Sequence, residues 1–259
     1  MSQSNVEVLI SAMHQKDFSI AQKTGIESDC LIINQCDKDD VAYQEHGYKK
    51  IRCISTKQRG LSRSRNMALD NAIGCYCLLA DDDETLYNGY ESKILQAYNR
   101  NPKADVICFQ IKSPTKKYSN KECKVGYIKA LKMSSWQITF NRSKIVDSCI
   151  HFDEKLGSGT PQGYGEENRF LYDCLRKGLN IYYVPICIGE VMQTDSKWFH
   201  GYNEHYFVQC GTVSRRILGT FFGFLYCLYT AFTKRNLYIS NVTMFVAMKN
   251  MLKGYLKKL

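Results

Sequence analysis

The chain has 259 residues, 44% of them hydrophobic. That is enough to bury a core as one large domain or two small ones, and no Gly/Ser-rich linker, low-complexity tract or repeat divides it. Its 35 lysines and arginines exceed 25 acids for a net charge of +10, a balance that suits nucleic acid, anionic lipid or phosphorylated small molecules and selects none of them.

The start, "MSQSNVEVLISAM", has no basic region followed by an apolar stretch and a cleavage site, so it reads as a first strand and not as a secretion signal. Twelve scattered cysteines without a CxxC pair argue for reduced, mostly buried thiols in a cytoplasmic protein, against a zinc or disulfide framework. Strands are expected over residues 6–13, 30–35, 50–55, 75–80 and 104–111, each a near-continuous apolar run of the kind a sheet covered on both faces requires. Between them "SRSRNMALDNAIG" reads as a helix, with Ser62 as N-cap, Leu69, Ala72 and Ile73 at helical spacing, and Gly74 as a left-handed stop. Alternating strand and helix predicts an α/β fold with a mainly parallel sheet, in which ligands collect beyond the carboxyl ends of the strands.

Farther along, "SSWQITFNRSKI" suggests a strand and a turn. A Gly-rich loop then leads into a helix over 167–177, with Phe170, Leu171, Cys174 and Leu175 on its apolar face and Gly178 as terminator, and a strand follows that ends at Pro185. The uncharged run 217–233, bracketed by Arg215–Arg216 and Lys234–Arg235, falls at or below the length of a membrane span. It reads as a basic, aromatic helical tail lying on an anionic leaflet, with a helix packed on the rest of the chain as the rival.

Asp81, Asp82, Asp83 and Glu84 follow the fourth strand directly. Carboxylates there suit Mg²⁺ or Mn²⁺, which keep one or two protein oxygens and fill their shells with water and phosphate; an inert acidic turn is the plain alternative. Arg65, early in the preceding helix, has the fork geometry for phosphate, or else pairs with one of the acids. Arg63, two residues away, faces elsewhere. Glu166 and Glu167 open a helix, where the dipole favours acids and where a general base would be rigidly held.

These pieces, in this order, resemble the family 2 glycosyltransferases over roughly residues 5 to 210. "GLSRSRNMAL" is similar to the family's GLSxARNxAL helix, with Ser64 where alanine is common; "ADDDE" is similar to its DxD-type motif and "GEENRF" to its GEDxxF motif. The resemblance implies the GT-A fold: a mixed, mainly parallel central sheet flanked by helices, with a helical C-terminal extension. A catalytic domain would span 1–210, divided into a nucleotide-sugar half (1–115) and an acceptor half (116–210), and the basic aromatic helical tail read above would occupy 211–259.

It also implies inverting transfer of a sugar from a nucleoside-diphosphate sugar, a UDP-sugar, to an acceptor hydroxyl; a tail lying on the inner face of the cytoplasmic membrane would place the enzyme beside a lipid-linked bacterial surface polysaccharide as that acceptor. Asp81, Asp82, Arg65 and Asn66 would hold the donor, with Ser11 and Ala12 beside the nucleoside. Asn34 and Asp37 stand near where the family reads the base. Mn²⁺ or Mg²⁺ would sit on Asp82, Asp83 and, as an option, His200, which otherwise is structural. Glu167, where the family has aspartate, would be the base, with Glu166 orienting the acceptor or sharing the role. Trp136 would stack on an acceptor sugar or else lie in the core, and Ser196, Trp198 and His200 would form a lid over the donor. Two rival functions are a sugar-nucleotide nucleotidyltransferase, which lacks its phosphate loop in "SAMHQKDFS", and a basic nucleic-acid binder, which leaves the acids unexplained; no nucleic-acid partner is expected.

Overall fold

The computed structural model describes residues 5–46, 49–114, 116–191, 199 and 201–257. The first half supplies β1 (Val6–Met13), α1 (Ser19–Lys23), β2 (Asp29–Gln35), β3 (Asp40–His46), β4 (Lys49–Thr56), α2 (Leu61–Asn71), β5 (Tyr76–Asp81), β6 (Glu84–Leu86), α3 (Tyr90–Arg100) and β7 (Val106–Lys112). Then come β8 (Cys123–Lys124), α4 (Tyr127–Ala130), a 3-10 turn (Ser135–Gln137), β9 (Ile138–Asn141), α5 (Arg142–Asp147), α6 (Glu166–Arg176) and β10 (Ile181–Val191). The tail is α7 (Glu204–Thr233), α8 (Arg235–Tyr238) and α9 (Met244–Leu256).

The strands form one sheet in the order β3-β4-β2-β1-β5-β9-β7-β10-β6, with β8 also on β10. β4, β2, β1 and β5 run parallel, with Leu9 opposite both Leu31 and Leu79. β9 runs against β5 and β7, and β10 is parallel to β7. Both faces are covered. Leu9, Leu31, Cys77 and Leu79 pack on one side with Leu69 of α2, Phe170 of α6 and Val213 of α7. Val8, Ile10, Ile32 and Leu78 pack on the other with Ile20 of α1 and Ile94 of α3. At about 1.5–3 kcal/mol for each large side chain fully buried, this two-sided cover is why the central strands are apolar through their middle positions, with polar residues gathered toward their carboxyl ends.

One buried acid interrupts that rule. Glu7, fully buried on β1, accepts hydrogen bonds from Arg52 Nη2 (2.6 Å) and from the Ile73 and Gly74 amides (2.6 and 2.8 Å). It thereby ties off the chain between α2 and β5. Gly74 has no left-handed backbone; it is glycine because an added Cβ would lie 2.5 Å from Glu7 Cβ. Ser62 likewise lies inside α2 instead of capping it, and its Oγ donates to the Leu156 carbonyl at 2.7 Å. β10 continues past Pro185 to Val191 because a register shift between Tyr183 and Cys187 accommodates the proline. All twelve cysteines are free, most of them buried or half-buried, although Cys75 and Cys149 are exposed.

Gly219 (φ 78°, ψ −171°) breaks α7. The chain doubles back there, so that a Cβ on Gly223 would lie 2.9 Å from Arg215 Cα, and residues 220–233 lie along 204–218. α9 crosses α7 where Gly211 and Gly254 bring the backbones together: a Cβ on either would overlap a carbonyl of the other helix, Met251 O or Val208 O. Arg216 pairs with Asp153, and Arg169 and Arg176 of α6 donate to the carbonyls of Arg216 and Ile217. The first part of the tail is thus fastened to the sheet-bearing body. No helix among the described residues is long and apolar enough to cross a membrane.

Candidate active site

A cavity of about 870 Å³ opens at the carboxyl ends of β1 and β5. Ser11, Ala12 and Met13 come from the end of β1, Asp81 from the end of β5, and Asp82 and Asp83 from the turn that follows. The start of α6 brings Glu166 and Glu167, and the chain before β9 brings Trp136. Parallel strands that all end on one side, with helix starts over them, assemble residues more than eighty positions apart.

Arg65 organises these acids. Its side chain is only 3% exposed; Nη1 donates to Glu166 Oε1 at 2.9 Å, and Nη2 donates to both Asp81 carboxylate oxygens at 3.1 Å. Burial opposes its charge, but Asp81 and Glu166 hold the guanidinium protonated above its ordinary range. Ser64 Oγ donates to Ser11 Oγ (2.9 Å), locking α2 to β1 beneath the cavity.

The acids therefore divide. Asp81 and Glu166 are committed to Arg65. Glu84 is buried, accepts the Asp81 amide at 3.1 Å, and is pushed well above the usual carboxylate range by burial and then by Asp81 and Asp83. Glu167 lies half-buried in the cavity wall, and burial followed by Glu166 pushes it up to about 8. Asp82 and Asp83 also line the cavity with hard carboxylate oxygens. No three His, Cys, Asp or Glu side chains converge into a cage among the described residues. The donor set fits a cation such as Mg²⁺ or Mn²⁺, which needs only one or two carboxylates when phosphates and water complete its shell.

Asn34, Asp37 and Asn66 do not line the cavity. Asn34 is buried and spent on the chain after β1: Oδ1 accepts the Gln15 amide (2.8 Å) and Nδ2 donates to the Gln15 carbonyl (2.9 Å). Asn66 does the same for the Phe152 backbone (2.7 and 3.0 Å), and Asp37 pairs outside the cavity with Arg59 (2.7 Å). Neighbours of these residues line it instead. Gln35 accepts the Gly60 amide (2.8 Å), and Arg59 is steered by the Cys36 and Thr56 carbonyls. A strand's alternation offered the signal for Gln35 over Asn34, whereas Arg59 and Lys132 sit in loops with no pattern to betray them. Ser196, Trp198 and His200 lie outside the described residues.

Fold and cavity together define a GT-A-type protein, with a sheet whose carboxyl end carries an acidic turn and a facing helix start. The chain belongs to glycosyl transferase family 2, whose model matches residues 10–151. No curated protein matches it in sequence. Among solved structures it is similar to residues 1–349 of S. aureus TarS in complex with UDP-GlcNAc, at TM-score 0.64 and 14% identity over 97% of this chain and 81% of that one. It is also similar to the same TarS fragment with UDP (TM-score 0.60, 13% identity, 97% and 81% covered) and to longer S. aureus TarS (0.60, 12%, 96% and 49%). At such identities the likeness speaks for the fold.

Proposed function

We propose that this glycosyltransferase moves a sugar from a UDP-sugar to a hydroxyl of a lipid-linked bacterial surface polysaccharide, with inversion and with a divalent cation, at the inner face of the cytoplasmic membrane. The observation that carries the reading is one cavity holding both the post-strand aspartates and Glu167, with Arg65 joining the two groups. TarS, a structural neighbour, was captured with UDP-GlcNAc, which supports a nucleotide-sugar donor here. Ser11 and Ala12 would border the nucleoside, and Asp82 and Asp83 would hold Mn²⁺ or Mg²⁺, which when bound offsets negative charge on the departing diphosphate.

Glu167 takes the proton of the acceptor hydroxyl as its oxygen attacks the anomeric carbon from the face opposite the diphosphate, which inverts that centre. Arg65 holds Glu166 beside Glu167, and Trp136 offers a ring face to the acceptor sugar. The tail, residues 211–259, contacts the membrane peripherally. A thermal-shift screen tests the donor assignment. UDP at a hundred times its Kd with Mn²⁺ stabilises by about 2.7 kcal/mol, a rise of roughly 5–10 °C, and Asp82→Ala abolishes the Mn²⁺-dependent part. No response to any nucleoside diphosphate would sink the reading.

A further inference from the structure

One half-buried cation takes no part in the chemistry described so far. Lys117, Lys121 and Lys124 are exposed, whereas Lys116 at the head of the same basic run is turned inward. Its ammonium donates to two neutral oxygens, Ser134 Oγ and Gln137 Oε1, each at 2.6 Å. Both belong to the 3-10 turn before β9 and its cap, where Ser134, Ser135 and Trp136 line the cavity, although Lys116 itself does not. Gln137 is buried and fully engaged: Oε1 also accepts the Ser134 amide (3.1 Å), and Nε2 donates to the Phe109 carbonyl of β7 (2.8 Å). The ammonium also stands 6.0 Å from the centre of the Trp136 ring and 5.6 Å from that of Tyr118, within reach of cation–π attraction.

Two charge-assisted hydrogen bonds and two rings thus converge on one side chain. Holding it there is costly. Burial pushes Lys116 down to about 8, opposed by Glu167 and then by the Cys108 thiol. We propose that Lys116 is a positioning residue for the acceptor: its ammonium pins the turn at Ser134 and Gln137 and thereby fixes the Trp136 ring in the cavity wall. The proposal rests on the acceptor role given to Trp136 above and identifies what holds that ring. A lysine that only filled a polar gap could be replaced without loosening the ring or any sugar against it.

The chain has two tryptophans, so Trp198→Phe leaves Trp136 as the only indole. In that full-length parent, with UDP and Mn²⁺ present, fluorescence reads the ring and calorimetry reads binding of methyl glycosides of glucose, galactose and N-acetylglucosamine. Lys116→Met is expected to raise quenching by acrylamide and to weaken the best-bound glycoside about tenfold. Lys116→Arg is expected to restore both. Parent emission is expected to change as pH rises through about 8, where Lys116 loses its proton. Glu167, Cys108 and Tyr118 are the titratable groups facing it, and Glu167 is pushed into the same range. A guanidinium stays charged there, so Lys116→Arg should abolish the pH response unless Glu167 causes it. Unchanged quenching in Lys116→Met, glycoside binding that Lys116→Arg does not restore, or a pH response that survives in Lys116→Arg would each overturn the proposal. Trp136→Ala reports the acceptor reading by itself. If it binds the glycoside as tightly as the parent, or if the parent binds none, the acceptor role of Trp136 falls and the proposal with it, whereas failure at Lys116 alone leaves that role standing.

Discussion

Two adjacent glutamates at one helix start have different environments, and the roles proposed for them follow that difference. Glu166 faces Arg65, which fixes its position through a 2.9 Å ion pair. Glu167 has only part of that compensation, so burial and the neighbouring Glu166 push it up to about 8. A base must be ionised before it can act. Below that pKa the free enzyme holds Glu167 protonated, and kcat/KM should rise about tenfold per pH unit until it levels near pH 8. Glu167→Gln should lower transfer by roughly 10²–10⁴-fold and remove that limb, measured with a fixed UDP-sugar across pH 5.5 to 9. A flat profile in the wild-type protein would reassign the base. The acids were legible in the sequence because four in a row after an apolar strand is a rare pattern. Which of them Arg65 would claim was not, because that depends on α2 and α6 meeting, and Asn34 and Asn66 looked available until the backbone groups they satisfy came into view.

At the scale of elements, apolar runs were faithful guides wherever burial on two faces governs. β1 occupies the residues that its run predicts, and the neighbouring parallel strands shift by a residue or two at their ends. Edge position hides the rest. Val41 and Tyr43 of β3 are exposed, so nothing in composition marks that strand. The tail shows the same limit differently: residues 217–233 carry no charge and read as a helical tail, yet Gly219 breaks the helix near its start. The Gly211–Gly254 crossing then holds α9 to α7 at a separation that only two missing side chains permit. Gly211→Val should force the helices apart at a cost of about 1–3 kcal/mol or more. Hydrogen exchange would show faster exchange in α7 and α9 with the β1, β2 and β5 amides unchanged; equal protection throughout would mean that the crossing is dispensable.

Across the whole molecule, one helical assembly serves two surfaces. Its inner side closes the far end of the cavity, and its outer side exposes Phe221, Phe222, Tyr229, Phe232, Phe245 and Leu256, several of them more than two-thirds exposed. Water-facing aromatics on this scale are costly unless something covers them. Lys234, Arg235, Lys249, Lys253 and Lys257 lie on the same segment, which makes an anionic bilayer the fitting cover for the reading proposed above. Each ring that enters lipid contributes about 1.5 kcal/mol or more, so Phe221→Ser with Phe222→Ser should weaken vesicle binding by about a hundredfold. Each basic residue near the surface adds about 1 kcal/mol that salt removes, so neutral vesicles or high salt should weaken the wild-type protein as well. Co-sedimentation with vesicles of phosphatidylglycerol and phosphatidylcholine measures both effects. If the aromatic substitutions left binding intact while salt abolished it, contact would be electrostatic alone and the rings would need another partner. If neither mattered, the tail would be a wall of the cavity and nothing more.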